Sequence, residues 1–233
     1  LLEALDKMED PQRTATFASP YVQELDLSIT ASDIRGYPLR VTLPGNAPGA
    51  EVDEYRYRSV FRFHYSTEEA AGEYSNDFTL ARNPFLAFVA RCTSSIPPAF
   101  EPMRLDDIKP ILETGYFRNR YSYDPESWKG LYRDFQRPGE DFPVRSFGDG
   151  GYLDNKPFSY ATADLLRRRA DLPVDRKLIY IEPAPESLTT PGGEPTRPDV
   201  VENVVAALVS LPRYETIRED IRLVEERNRL IDQ

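Results

Sequence analysis

The sequence predicts an α/β layer fold, and three features of its 233 residues point there. Stretches with the three-to-four residue spacing of amphipathic helices alternate with stretches of two-residue apolar alternation, the arrangement of α/β architectures. Lys177 to Glu182 (KLIYIE) is an almost continuous apolar run with β-branched residues, the pattern of a strand covered on both faces. With 40% hydrophobic and 12% aromatic residues, the chain holds enough apolar material for one ordinary core or two small ones.

The elements follow in chain order. Leu1, Leu2, Leu5 and Met8 recur at helical spacing, so the sequence opens inside an amphipathic helix, which Asp10-Pro11 breaks. Glu24 to Ala31 alternates Leu25, Leu27 and Ile29 against polar neighbours, as a strand does. Asp33-Ile-Arg-Gly36 reads as a turn, with a second strand at Leu39 to Leu43 and a third at Tyr57 to Tyr65. Asn83-Pro84 suits a helix start, because Asn caps and Pro is tolerated in the first turn; that helix runs to about Thr93 and stops before Pro97-Pro98. Residues 101–142, aromatic, charged and rich in Pro and Gly, read as a long surface excursion. A short strand at Pro143 to Phe147 leads directly into Gly148-Asp149-Gly150-Gly151, and Asn155-Lys156-Pro157 opens a helix through Arg169. After KLIYIE, residues 184–198 form a Pro- and Gly-rich loop. Asp199 to Glu202 has capping-box spacing for a helix to about Leu211, and a three/four period from Tyr214 to Ile231 predicts a helical tail. Both ends fall inside helical patterns, so the expectation is a piece of a longer protein.

Composition narrows the function. Lys and Arg number 29 against 39 Asp and Glu, and the net charge of −10 repels phosphate backbones, so no nucleic-acid partner is expected. One Cys and one His rule out an internal disulfide, a Cys/His zinc site and a two-His metalloprotease helix. The longest apolar runs, Phe85 to Ala90 and Val204 to Val209, are far shorter than the roughly 20 residues of a membrane span. Carboxylates, hydroxyls and backbone amides are left to carry any chemistry.

Asp149 is the candidate catalytic residue. An Asp just beyond a strand end, flanked by glycines, stands where strand-to-helix crevices bind ligands, and the missing side chains allow close approach. The competing reading is a tight turn, since Asp-Gly and Gly-Gly are common turn dipeptides. A calcium loop on Asp149, Gly151, Leu153 and Asp154 fails, because two of the positions needing oxygen ligands are Gly and Leu. Ser94 and Ser95 follow a helix rather than a strand and lack nucleophile-elbow geometry. Cys92 reads as a buried small hydrophobe, and His64 as a solvated strand residue beside Arg62. Arg167-Arg168-Arg169 fits either a headgroup patch or cations at a helix C-terminus. The aromatic stretch from Tyr116 to Phe142, with Trp128, fits either a cap over an acyl-chain pocket or a loop packed on its own core.

Phe147 to Phe158 (FGDGGYLDNKPF) resembles the second signature block of patatin-like phospholipases, in which Asp-Gly-Gly or Asp-Gly-Ala is followed closely by Asn-x-Pro. Leu27 to Gly36 (LSITASDIRG), Ala90 to Phe100 (ARCTSSIPPAF) and Lys177 to Pro183 (KLIYIEP) are similar to that family in the same order. Together the blocks frame about residues 20–185, and the long inserts and helical tail resemble the larger bacterial patatin-related proteins. The resemblance implies a partial three-layer α/β/α sandwich, with residues 1–185 the C-terminal part of a catalytic domain and 186–233 a loop plus helical extension. It also implies lipid acyl-ester hydrolysis by a Ser/Asp dyad with Asp149 as general base, no metal or organic cofactor, and a lipid ester substrate met at a membrane interface. The sequence departs from the family in one respect: it has no Gly-x-Ser-x-Gly elbow and no Gly-rich oxyanion loop, both of which lie N-terminal to the matching region in the family. The missing N-terminal part of the same domain is therefore an expected partner, and the chain alone is expected not to turn over esters. The alternatives are a patatin-like module that binds without catalysis and a plain α/β interaction domain with a structural Asp-Gly-Gly turn.

Overall fold

The computed structural model describes residues 1–8, 22–42, 51–67, 75–97, 99–135, 141–168, 174–181, 199–200 and 218–231. It is mixed α/β and falls into two compact units, Leu1–Asp154 and Asn155–Gln233. The described elements of the first unit are helix α1 (Leu2–Met8), strands β1 (Glu24–Thr42), β2 (Glu51–Ser66) and β3 (Ser75–Asn76), helices α2 (Asn83–Cys92), α3 (Lys109–Glu113) and α4 (Pro125–Trp128), and strand β4 (Phe147–Asp149). The strands form one sheet in the order β3-β2-β1-β4, with every pairing antiparallel.

The period of two in β1 and β2 decides which face is buried. Leu27 pairs with Phe63, Ile29 with Phe61 and Ala31 with Ser59, so these residues share the core face. Arg62 and His64 fall on the other face with Ser28 and Asp26. The Phe61 ring is fully buried and meets Phe147 at 5.4 Å, Phe135 at 5.3 Å and Phe85 at 6.0 Å. Helix α2 covers this face with Phe85, Phe88, Val89 and Cys92, all buried; Pro84 sits in its first turn as expected, but Asn83 is the first helical residue and the N-cap position is Arg82, without a side-chain cap.

Three sequence expectations are corrected in the first unit. The turn at Asp33–Gly36 is a bulge inside one long strand: the register runs from Ser32↔Arg58 to Tyr37↔Arg56, so four residues of β1 oppose one of β2. The Asp33 carboxylate accepts from the Arg35 and Gly36 N–H groups at 3.1 Å, as in an Asx turn, but pairing resumes afterwards. Gly36 has φ of 74°, and a Cβ there would lie 2.8 Å from the Tyr57 ring, so only glycine fits.

The second correction concerns residues 101–142, which are no surface excursion. They bury Leu105, Leu112, Tyr121, Trp128, Tyr132 and Phe142 in the core. Their helical turns are too short for a readable period, yet most of them deliver large side chains to the core. Tyr132 stacks on Phe142 at 4.0 Å, and the Trp128 indole N–H donates to the Ala81 carbonyl at 3.0 Å. The third is the strand expected at Pro143 to Phe147. Phe142–Val144 forms a helical turn, to which Pro143 is suited because it lacks a ladder donor, and the strand starts at Phe147.

The second unit contains helices α5 (Phe158–Arg167) and α6 (Arg218–Ile231). Lys177 to Ile181 is not a strand: Ile179 and Ile181 are 79% and 81% exposed, and among the described residues no strand pairs with it. An apolar run becomes a strand only where a neighbour takes its backbone hydrogen bonds. Tyr180 packs on Phe158 at 4.9 Å, and the Arg176 guanidinium donates to the carbonyls of Leu165 and Arg168, closing the end of α5. The loop expected at 184–198 and most of the helix expected at Asp199 to Leu211 lie outside the described residues. Among the described residues no helix is long and apolar enough to cross a membrane.

Helix α1 is fastened by a buried carboxylate. Asp6 accepts hydrogen bonds from Tyr116 Oη and Tyr121 Oη, both at 2.8 Å, and from Arg120 Nε. Burial by itself would raise the Asp6 carboxyl, but these donors outweigh it and hold the group below its ordinary value of 3.8. A lowered folded-state value means that Asp6 contributes stability fully above its unfolded value and loses it as pH falls through the folded one. Thermal midpoints measured from pH 6 to pH 2 are expected to fall less steeply in Asp6→Asn than in the parent chain. Parallel curves would show that Asp6 is not a source of acid sensitivity.

Candidate functional site

The site is built where β4 meets β1. Phe147 pairs with Asp33, Gly148 with Ser32 and Asp149 with Ala31, and the Ile34 N–H donates to the Ser146 carbonyl at 3.0 Å. On its other edge Phe147 exchanges two hydrogen bonds of 2.8 Å with Met103. Asp149 therefore ends a short strand tied on both sides, and the ladder places it on the same face as Phe147 and Ala31.

Immediately after Asp149 the chain turns through Gly150–Tyr152. The Asp149 carboxylate accepts from the Gly151 N–H at 2.7 Å and so caps this helical turn. Gly150 crosses directly over β1: a Cβ there would lie 2.4 Å from both the carbonyl oxygen and Oγ1 of Thr30, so the glycine is required by contact. Past it, the Asp154 N–H donates to the Gly150 carbonyl at 2.9 Å and the Thr30 hydroxyl donates to the Asp154 carbonyl at 3.3 Å. Arg58 Nη2 donates to the Leu153 carbonyl at 2.8 Å, while Nη1 stands 3.6 Å from the buried Asp154 carboxylate. The Tyr152 hydroxyl donates to the Ser95 carbonyl at 3.0 Å, binding the turn to the end of α2. Burial, and then the nearby Asp149 charge, push that phenol up.

The result is a half-buried carboxylate whose only described hydrogen bond is from a backbone N–H, and among the described residues no cation pairs with it. Its remaining lone pairs can accept a hydrogen bond from an approaching hydroxyl. In the same row of the sheet, two strands from Asp149, the Ser59 hydroxyl is buried and, among the described residues, has no hydrogen-bond partner, and the same holds for Ser32.

The other sequence candidates sit apart from this arrangement or in supporting places. Ser94 Oγ donates to the carbonyls of Ala90 and Arg91, and Ser95 Oγ donates to the Arg91 carbonyl while accepting from the Arg91 guanidinium at 2.9 Å; both hydroxyls finish the last turn of α2. Cys92 is buried, and desolvation drives its thiol far up, so it is a packing residue. Arg167 pairs with Asp164 on its own helix, and Arg169 lies outside the described residues. From Tyr116 to Phe142, the rings of Tyr121, Trp128, Tyr132 and Phe135 are core. His64 Nδ1 lies 2.6 Å from Asp26 Oδ1 on the sheet face opposite the core, and with Glu24 it forms the one trio among the described residues whose ligand-type atoms come within 4.8 Å of one another.

Sequence reasoning missed the long-range polar contacts on either side of Asp149. Asp33, Arg58 and Arg145 are separated from their partners by about a hundred residues, and no local pattern announces them.

Comparison with known proteins adds one relative. Over 128 residues, 55% of the chain, it is 30% identical to an uncharacterized membrane protein of Mycobacterium tuberculosis. The matched region is 11% of that protein's length, so the chain spans about a tenth of it. No family model matches the chain. No solved structure matches it.

Proposed function

We propose that this chain supplies the base of a patatin-like lipid acyl hydrolase: Asp149 serves a Ser/Asp dyad whose nucleophilic serine and oxyanion loop lie upstream of Leu1. The observation that supports this reading best is the Asp149 carboxylate itself, at a strand end, flanked by glycines, held by the Gly151 N–H and unpaired with any described cation. In the proposed reaction Asp149 takes the proton from the serine hydroxyl as its oxygen bonds to the ester carbonyl carbon. The carbon to leaving-oxygen bond then breaks, Asp149 returns the proton to the departing alcohol, and water repeats the sequence on the acyl-enzyme. Backbone N–H groups of the upstream loop hold the oxyanion, and no metal or organic cofactor takes part. The upstream segment would complete a three-layer α/β/α sandwich around the antiparallel sheet described above. The relative's description as a membrane protein accords with a lipid ester met at a membrane interface.

Fluorophosphonate labelling of the full-length gene product, set beside the 233-residue chain, tests this directly. The expected result is one labelled serine upstream of Leu1 and no labelling of the chain by itself. A folded full-length product that does not label sinks the hydrolase reading and leaves a patatin-like module that binds or scaffolds. Asp149-dependent turnover by the chain alone would refute the division of the dyad.

A further inference from the structure

We infer that the buried Asp33–Arg145 ion pair is a positioning device for Asp149, locking the register of β4 on β1. The inference rests on the role proposed for Asp149, although the register lock can be tested without it.

Strand β4 is three residues long, its middle residue is Gly148, and Gly150 and Gly151 follow. A strand so short and so poor in side chains specifies its own register weakly, and a slip of one residue would turn the Asp149 carboxylate to the opposite face of the sheet. Phe147 anchors the core side of the strand, being fully buried against Phe61 and Phe88. The polar anchor is Asp33, which lies directly opposite Phe147 in the ladder and is 1% exposed.

The Asp33 carboxylate is saturated with donors. Oδ1 accepts from the Arg35 and Gly36 N–H groups at 3.1 Å, and Oδ2 accepts from Arg145 Nε at 2.8 Å and from Arg145 Nη2. Arg145 also donates to the Gly36 carbonyl at 3.0 Å, and its guanidinium lies 4.9 Å from the centre of the Tyr37 ring. It stands two residues before β4, so sliding the strand by one position would carry it about 3.3 Å along β1 and strip a buried carboxylate of its counter-charge. Because the β1 bulge orients Asp33 and Arg145 precedes β4, the pair joins the bulge to the strand that presents Asp149.

The test uses the full-length gene product with Arg145→Lys, which keeps the charge but loses the planar fork, and Asp33→Asn, which keeps the size but loses the charge. Two readouts are needed: amide hydrogen exchange of the segment Phe147–Asp154 against that of α2, and kcat and KM for p-nitrophenyl butyrate. The expected result is faster exchange in Phe147–Asp154 with α2 unchanged, and a kcat lowered about 10²-fold at unchanged KM, the scale of a displacement of about 1 Å in a reacting group. Exchange that rises equally in both segments, with activity tracking the folded fraction, would make the pair merely structural and overturn the inference. Unchanged exchange and unchanged kcat would overturn it too. If the folded parent protein neither labels nor hydrolyses, the hydrolase reading falls, and the exchange data alone decide whether the pair locks the register.

Discussion

Replacing Asp149 with Asn in the full-length product is expected to slow ester hydrolysis and fluorophosphonate labelling by about 10²- to 10⁴-fold, the usual range for a positioned general base. The substitution is nearly isosteric, and the amide oxygen can still accept the Gly151 N–H that Asp149 accepts at 2.7 Å. The capped turn, the Gly150 crossing over Thr30 and the hydrogen bond from Tyr152 to Ser95 should therefore survive. Only the capacity to take a proton is removed. Loss of activity at unchanged thermal stability is the outcome that separates a base from a turn residue; loss of stability with proportionate loss of activity would return Asp149 to the tight-turn reading.

The largest effect on stability is expected from Phe61→Ala. The ring is fully buried and contacts Phe85, Phe88, Phe135, Phe142 and Phe147, with centroids between 5.3 and 6.5 Å away. Those rings come from the helix on the sheet, from the 101–142 segment and from β4, so no single neighbour can move to fill the space. Truncation should cost about 3 to 5 kcal/mol, a large share of the roughly 5 to 15 kcal/mol that holds an ordinary domain folded. Urea unfolding of the chain and its variant measures this. A cost below about 1 kcal/mol would mean that the cluster collapses around the cavity far more readily than its packing implies.

The sequence made some of this arrangement legible. The start of α2 follows from Pro84, and the core face of β1 follows from Leu27 and Ile29, because first-turn proline and two-residue alternation are local chemistry; Asn83 proved to be the first helical residue rather than a cap, and Leu25 is exposed. The position of Asp149 at a strand end was legible from its glycines, although the strand itself lies later than Pro143 suggested. The Asx turn at Asp33 was also real, but its hydrogen bonds are the same in a turn and in a bulge, and only the partner strand distinguishes them. What stayed hidden depends on distance along the chain. The bond between Arg145 and Asp33 spans 112 residues, and Trp128 finds Ala81 across 47. Exposed Ile179 and Ile181 show the converse error, in which an apolar run was credited with a sheet that the described residues do not provide.

The pairing of β4 with β1 also orders events in time. Strands β1 and β2 are consecutive and can zip together as a hairpin from Val41 and Val52 outward. The contact of Ala31 with Asp149 must wait for a loop of more than a hundred residues to close, and such closures are slow because their entropy is lost before any contact offsets it. The β1–β2 hairpin is therefore expected to form before Asp149 is pinned against Ala31, the last place the sheet is joined.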